Sequence, residues 1–184
     1  MGELPIRPYP HPSPPPALRP WNPRAPRAAA RVVALIAERL PDTTIEHVGS
    51  SAVPDCAGKG YLDLVVPYRD DTHLAAINDA LFALGFSRQR NRDPFPETRP
   101  MRTGAIHHAG ESFLLHVHVV PERGSETAEL RGFRDRLRAD PALVAEYVAA
   151  KRAILAAGVR DSVDYAERKG AFIAALGYTG AEDA

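Results

Sequence analysis

The stretch from His47 to Val66, HVGSSAVPDCAGKGYLDLVV, contains a Gly-Ser-Ser turn, one lysine and a lone aspartate in an apolar run. The flanking segments TTIEHVGSS and YLDLVVPY alternate in polarity or are rich in β-branched residues, as strands are. Asp63 then shares its face of the second strand with Val65. A glycine lets the backbone approach a phosphate, a serine hydroxyl donates to it, and a carboxylate suits Mg²⁺. The stretch therefore indicates half of a phosphate-handling site.

Apolar spacing predicts the elements on either side of this stretch. Residues 24–40 and 72–84 have the periodicity of helices, and TGAIHHAGESFLLHVHVV has that of two strands joined near Gly110. Three helices follow, the second capped by Asp140 and the last running from Asp161 or Ser162 to residue 176. The order of elements predicts an α+β fold with a sheet and a helical C-terminal portion.

Composition limits the classes of function. The chain has 184 residues, of which 45% are hydrophobic, and equal totals of 23 basic and 23 acidic residues. A zero formal charge favours neither long nucleic acid nor an anionic membrane as a partner. The single Cys56 excludes an internal disulfide, and no apolar run is long enough to span a bilayer. We expect a cytoplasmic protein.

The prolines divide the chain. Ten of the 18 lie in the first 26 residues, where they prevent a helix or a central strand. We expect residues 1–20 to form an extended, solvated arm pinned by Trp21, to which no function is assigned. The alternative is that PSPPPALRP is a proline ligand for an SH3-like partner. Residues 21–177 should form one domain, with its sheet part at about 21–121 and its helical part at about 122–177. Residues 178–184 should be a tail.

Four motifs carry a family resemblance. A strand ending in Gly-Ser, followed by an aspartate in the next strand, resembles the polymerase-β-like nucleotidyltransferases. The segments IEHVGSSAVPDCAGKGYLDLVV, HVHVV, FRDRLRADPALVAEYVAAKRAI and DYAERKGAFI occur in the order typical of the GrpB family. The resemblance covers about residues 21–176 and implies a nucleotidyltransferase-like mixed sheet flanked by helices. It also implies a Gly-Ser turn on nucleotide phosphates and a divalent metal, Mg²⁺ or Mn²⁺, on the aspartate strand.

The resemblance identifies candidate site residues. Asp63 is the candidate catalytic residue, and the candidate phosphate contacts near it are Gly49, Ser50, Ser51 and Lys59. Val65 stands where the superfamily has a second acid, so His116 and His118, on one face of the last strand, could complete a metal site with Asp63 and Glu46. Imidazole ligands would favour Zn²⁺ or Mn²⁺ over Mg²⁺. The alternative is that the two histidines only make local hydrogen bonds.

Cationic partners are expected from the C-terminal helices. The candidates for phosphate contact there are Arg134, Arg138, Lys151, Tyr165 and Lys169. Arginine forks and lysine point charges are what a polyphosphate requires. The alternative for these side chains is a structural ion network with nearby carboxylates.

Three functions follow as hypotheses. The first is binding of a nucleoside triphosphate with a divalent metal, with nucleotidyl transfer to an unknown small molecule. The second is a non-catalytic ligand-binding module with a degenerate site, which the missing second acid and Asp55 in the turn favour. The third is a His/Asp metal-dependent hydrolase.

Overall fold

A computed structural model describes residues 4–91 and 93–178. The helices are α1 (Ala25–Ala37), α2 (Asp71–Leu84), α3 (Glu126–Ala139), α4 (Pro141–Ala156) and α5 (Ser162–Ala175). The strands are β1 (Glu46–Val48), β2 (Tyr61–Tyr68), β3 (Ser87–Arg88), β4 (Met101–His108) and β5 (Glu111–Pro121). Residues 179–184 of the expected tail lie outside the described residues.

The strands form one mixed sheet in the order β1-β2-β5-β4-β3. Only the central pair, β2 with β5, is parallel, and the other pairs are antiparallel. Asp63 lies opposite Val48 on β1 and opposite His116 on β5. Side chains at paired positions share a face, so the sheet brings the aspartate and the histidine side by side. The α+β prediction is confirmed.

Most of the predicted elements occur, with differences at their ends. Helix α1 ends at Ala37 rather than at residue 40, because Pro41 disfavours a helical conformation at the residue before it. Strand β1 has three residues and ends at Val48, directly before Gly49, whose φ is 71°. Strand β3 lies outside the elements that apolar spacing predicts. Asp140 and Asp161 cap α4 and α5 through their side chains, as predicted.

The two faces of the sheet have different roles. Helices α1 and α2 pack on one face against a core that includes Leu62, Leu64 and Val117. On the opposite face Val48, Val65 and Val120 form a small apolar cluster with Leu130 of α3. Helices α3 to α5 form a separate core with the segment after the Gly-Ser turn. Asp63 therefore lies at the junction between the face opposite α1 and α2 and the helices α3 to α5.

The N-terminal arm is docked on the sheet. The Ile6 side chain is 1% exposed, and the backbone N–H of Ile6 donates to the Leu84 carbonyl at 3.1 Å. Arg7 pairs with Ala105 through two backbone hydrogen bonds of 2.8 and 2.9 Å. The expectation of a solvated arm is therefore wrong at these residues, because β3 is too short to cover this edge of β4 and the arm covers it instead.

The arm is attached a second time near the Gly-Ser turn. Arg19 and Gly58 exchange backbone hydrogen bonds of 2.8 and 3.0 Å. The indole Nε1 of Trp21 donates to the Ser51 carbonyl at 3.0 Å, so the arm is pinned by Trp21 as expected. Among the described helices, none has the length and apolar content needed to cross a membrane.

Candidate functional site

The turn after β1 lies tightly against Asp63. Gly49 has a left-handed φ of 71°, and a Cβ atom on it would lie 2.5 Å from Oδ2 of Asp63. The backbone conformation and the close approach both require glycine here. Ser50–Ala52 then form a single 3-10 turn. This turn places the Ser50 hydroxyl next to α4, 3.0 Å from Nζ of Lys151.

Neighbouring side chains fix the rest of the turn. The Ser51 hydroxyl is 2.9 Å from Nε2 of His47, and burial lowers the pKa of His47 to about 4. The imidazole is therefore neutral near pH 7. Arg138 donates from Nε to the Ala52 carbonyl at 2.9 Å. Ser51 and Arg138 thus stabilise the turn.

Lys151 is a buried cation directly behind the turn. Its side chain is 1% exposed and donates to the Ser50 hydroxyl and the Ala57 carbonyl. Nζ also lies 3.5 Å from Sγ of Cys56 and 4.1 Å from the centre of the Tyr147 ring. Burial lowers the pKa of Lys151 to about 8. The ammonium group is thus held by neutral acceptors, with no carboxylate among these partners.

All three lysines of the sequence line one cavity. Lys59, Lys151 and Lys169 surround a space of about 420 Å³ beside the Gly-Ser turn. Nζ of Lys59 lies 4.9 Å from the ring centre of Tyr61 and 5.4 Å from that of Tyr165. Tyr165 is buried, which raises its pKa to about 12. The cavity, called the smaller cavity below, thus combines lysine cations with hydroxyl and backbone donors.

Asp63 lies between two histidines. Its Oδ1 is 3.4 Å from Nδ1 of His116 and 3.9 Å from Nε2 of His118. Burial raises the pKa of Asp63, but hydrogen bonds from the two imidazoles outweigh burial and hold this pKa well below its usual range. Burial also lowers the pKa of His116, against the opposing effect of Asp63. The group is therefore an ionised carboxylate that two imidazoles orient.

A larger cavity opens on the other side of Asp63. It has a volume of about 610 Å³ and shares Lys59, Tyr61, Asp63 and Lys169 with the smaller cavity. The N-terminal arm contributes Tyr9 to its wall. The two cavities therefore adjoin at Asp63, and together they are called the cleft below.

The expected arginines lie elsewhere. Arg134 donates to the Glu46 carboxylate and to the His47 carbonyl, both at 3.1 Å. Arg131 also pairs with Glu46, and Arg138 bonds the turn backbone. Neither Arg134 nor Arg138 lines either cavity. These arginines attach α3 to the outside of the turn, as in the alternative of a structural ion network.

The side chains present do not match the expected metal site. Val65 occupies the position of a second acid and is 0% exposed, and Glu46 is paired with Arg131 and Arg134. Within residues 4–91 and 93–178, no group of three or more His, Cys, Asp or Glu side chains is placed to hold a metal ion. His116 is within hydrogen-bond distance of both Asp63 and Tyr9, which agrees with the alternative of local hydrogen bonding for this histidine, whereas His118 stays 3.9 Å from Asp63.

Sequence reasoning missed two residues of the cleft. Tyr61 lies two residues before Asp63 on β2 and lines both cavities, and the period-two alternation of a strand was the signal that could have identified it. Tyr9 is brought to His116 from 107 residues away. No local pattern in the proline-rich arm indicates that contact.

The fold has relatives among solved structures. The crystal structure of the conserved protein GrpB from Enterococcus faecalis matches with a TM-score of 0.69 at 20% identity, covering 87% of this chain and 94% of that one. Cid1 in complex with its short product ApU matches with a TM-score of 0.50 at 16% identity, covering 72% and 41%. The chain therefore has a mixed-sheet fold in common with these two structures, and the expected nucleotidyltransferase-like fold is confirmed.

Sequence relatives cover much of the chain. A UPF0157 protein of Streptomyces coelicolor is 36% identical over 135 residues, which are 73% of this chain and 67% of that protein. A UPF0157 protein of Vibrio cholerae is 35% identical over 112 residues, or 61% and 55% of the two chains. The family model described as GrpB protein matches residues 15–177. With that match and these relatives, the chain belongs to the GrpB family.

Proposed function

We propose that the protein binds a nucleoside triphosphate in the cleft, with the polyphosphate in the smaller cavity on Ser50 and Lys59, and with the buried Lys151 supporting the Ser50 hydroxyl from behind. One observation carries the proposal. The chain has 20 arginines and only three lysines, and all three lysines line this cavity. Lysine is a compact point charge with three donors, which suits a polyphosphate. The turn at Gly49 adds its backbone and the Ser50 hydroxyl to the wall of the same cavity.

The fold supports a nucleotide as the source of the phosphates. Cid1, which shares the fold, was solved with its short product ApU. The smaller cavity supplies cations for the phosphates, and the larger cavity supplies space beyond them. A volume of about 610 Å³ is within the range of roughly 300–1,000 Å³ of small-molecule sites.

Isothermal titration calorimetry tests the proposal. We expect ATP or GTP to bind the full-length protein, and Lys59→Gln to weaken binding by about ten-fold to a hundred-fold, because a charge-assisted hydrogen bond is worth about 1.5–3 kcal/mol. Arg27→Gln is the matched control, since this exposed arginine of α1 lies outside both cavities. Failure of every nucleotide to bind, or equal losses in the two variants, would refute the proposal.

Transfer of a nucleotidyl group to a small molecule is a second candidate. It is favoured by the ionised Asp63 and its two histidines at the junction of the cavities. In such a transfer an acceptor oxygen forms a bond to the α-phosphorus, pyrophosphate leaves, and the acceptor proton passes to solvent. Asp63 and His116 would orient the acceptor hydroxyl. Mg²⁺ or Mn²⁺ would supply charge neutralisation when bound, but the described side chains provide no three-ligand site for it.

Binding without transfer is the competing function. It is favoured by Val65, which is buried in an apolar cluster where the second acid would stand. Mass spectrometry of the protein incubated with ATP, Mn²⁺ and a metabolite mixture separates the two. A nucleotidylated product that disappears in Asp63→Asn identifies transfer, whereas a nucleotide that binds and gives no product identifies a binding module. A His/Asp metal-dependent hydrolase would require a three-ligand metal site, which the described side chains do not form.

A further inference from the structure

The N-terminal arm crosses the cleft between its two points of attachment. We call residues 8–18 the strap. It is held at one end by the pairing of Arg7 with Ala105 and at the other by the pairing of Arg19 with Gly58. Six of its eleven residues are proline. Fixed φ angles reduce the entropy lost when a segment is ordered, so the strap is preorganised.

The body of the domain leaves space for the arm. Gly104 lies within β4, where a glycine weakens a strand. A Cβ atom on Gly104 would lie 2.4 Å from Cγ2 of Ile6 and 3.2 Å from Cδ1 of Phe86. The φ of Gly104 is not in the left-handed region, so room for Ile6 is what requires glycine at this position. The docked arm is therefore specified by residues of the sheet.

The strap places one tyrosine ring in the larger cavity. Tyr9 stacks on His116 with ring centres 5.7 Å apart and an angle of 28° between the planes. Its ring centre lies 6.3 Å from that of Tyr61, which is edge-on at 82°. The Tyr9 hydroxyl lies 3.4 Å from Nε2 of His116. The hydroxyl and both ring neighbours hold Tyr9 in one orientation, with part of the side chain accessible to the cavity.

A planar ligand group would find aromatic surfaces on several sides. Besides Tyr9 and Tyr61, the larger cavity is lined by Phe95, whose ring lies 6.0 Å from that of His118. The smaller cavity contains the lysines and the Gly-Ser turn. Both cavities have cationic and aromatic walls, since Arg88 and Arg90 also line the larger one and Trp21 and Tyr147 also line the smaller one. What distinguishes the larger cavity is its volume of about 610 Å³ and the Tyr9 ring in its wall, which suit a planar base, while the smaller cavity holds all three lysines and the Gly-Ser turn.

We propose that the larger cavity is the nucleobase subsite and that Tyr9, supplied by the strap, is its stacking platform. This inference rests on the proposed function, which places the polyphosphate in the smaller cavity. Bases stack on aromatic side chains irrespective of sequence, because every base has a π-face. Purines offer the larger face, so ATP and GTP should bind more tightly than CTP and UTP. Tyr9 precedes residues 15–177, the segment that the GrpB model matches.

Two probes distinguish the inference from the proposed function. ATP has both a base and a polyphosphate, whereas inorganic tripolyphosphate has only the latter. In calorimetry on the full-length chain, Tyr9→Ala should weaken ATP binding about ten-fold, the loss expected for one stacked base. The affinity for tripolyphosphate should stay within about two-fold, since its contacts are in the smaller cavity. Tyr9→Phe keeps the ring and should retain ATP affinity.

Further controls separate stacking from folding. Tyr9→Leu fills the space without an aromatic face and should lose ATP affinity as Tyr9→Ala does. Hydrogen exchange at the Ile6 and Arg7 amides should be unchanged in both variants, which would show that the arm stays docked. Unchanged ATP affinity in Tyr9→Ala, or a parallel loss of tripolyphosphate binding, overturns the base subsite while the proposed function stands. If neither probe binds the unmodified protein, the proposed function fails and the base subsite fails with it.

Discussion

Gly49 and Lys151 set the conformation of the Gly-Ser turn beside the cleft. The glycine lets the turn close over Asp63, and the buried lysine holds the Ser50 hydroxyl from behind. Neither position 49 nor position 151 tolerates another residue without a clash or a lost contact. A larger residue at position 49 would meet the carboxylate, and a shorter one at position 151 would leave the Ala57 carbonyl without its donor.

Gly49→Ala should lower the free energy of unfolding by about 1–3 kcal/mol and abolish nucleotide binding. The strained φ and the contact with Asp63 both contribute to this cost. Gly110→Ala is the matched control, because Gly110 also has a positive φ but has nothing within 4 Å of its Cβ position. Urea denaturation of both variants measures the difference. Equal losses would mean that the contact with Asp63 has no energetic effect.

Lys151→Met should change how stability depends on pH. The pKa of Lys151 falls from 10.5 to about 8 on folding, so between these values the unfolded chain binds more protons and stability rises with pH. The penalty for burying the ammonium is complete below pH 8 and disappears toward pH 10.5. The variant lacks this rise, and the difference between the proteins should change by about 3 kcal/mol across that window. Parallel curves from urea denaturation at several pH values would contradict the assignment.

At the scale of elements, the arm and β4 depend on each other. Gly104→Ala places a Cβ atom against Ile6 and should release residues 4–7 from the sheet edge. We expect the Ile6 and Arg7 amides, which donate to Leu84 and Ala105, to lose protection from hydrogen exchange while the amides of β5 keep theirs. Mass spectrometry of exchanged peptides measures both.

Gly124→Ala is the control for that experiment. Gly124 lies outside the strands, and the nearest atom to its Cβ position is 3.4 Å away, which is ordinary contact. This variant should leave exchange at Ile6 and Arg7 unchanged. Retained protection of the arm in Gly104→Ala would show that Ile6 can shift without leaving the edge.

At the scale of the whole molecule, the balance of charge determines which polyanions the protein can bind. The formal net charge is zero, so the chain has no general attraction for a polyanion, and its lysines are gathered in one cavity. A labelled single-stranded RNA of about 20 nucleotides should therefore show no binding at physiological salt, because affinity for a long strand requires many phosphate contacts. ATP should bind under the same conditions. Fluorescence anisotropy measures binding of the labelled RNA. Tight RNA binding would contradict a cleft that takes only small molecules.

The sequence by itself determined every helix and all strands except β3, together with the polar face of the central strands. Alternation along YLDLVVPY and HVHVV predicts which strand faces carry Asp63, His116 and His118. The N-caps of α4 and α5 at Asp140 and Asp161 were predicted from the few residues around them. These features depend on residues a few positions apart, whose geometry the backbone period fixes.

The tertiary structure alone decided which cations belong to the cleft. Arg134, Arg138 and Lys151 were equivalent candidates on helices, but only Lys151 faces the cavity, while the two arginines bond Glu46 and the turn backbone. The structure also brought Tyr9 to His116 across 107 positions of sequence. Such contacts depend on how a helix rotates and where an arm docks. Packing of the complete core sets both, and no local period of the sequence encodes them.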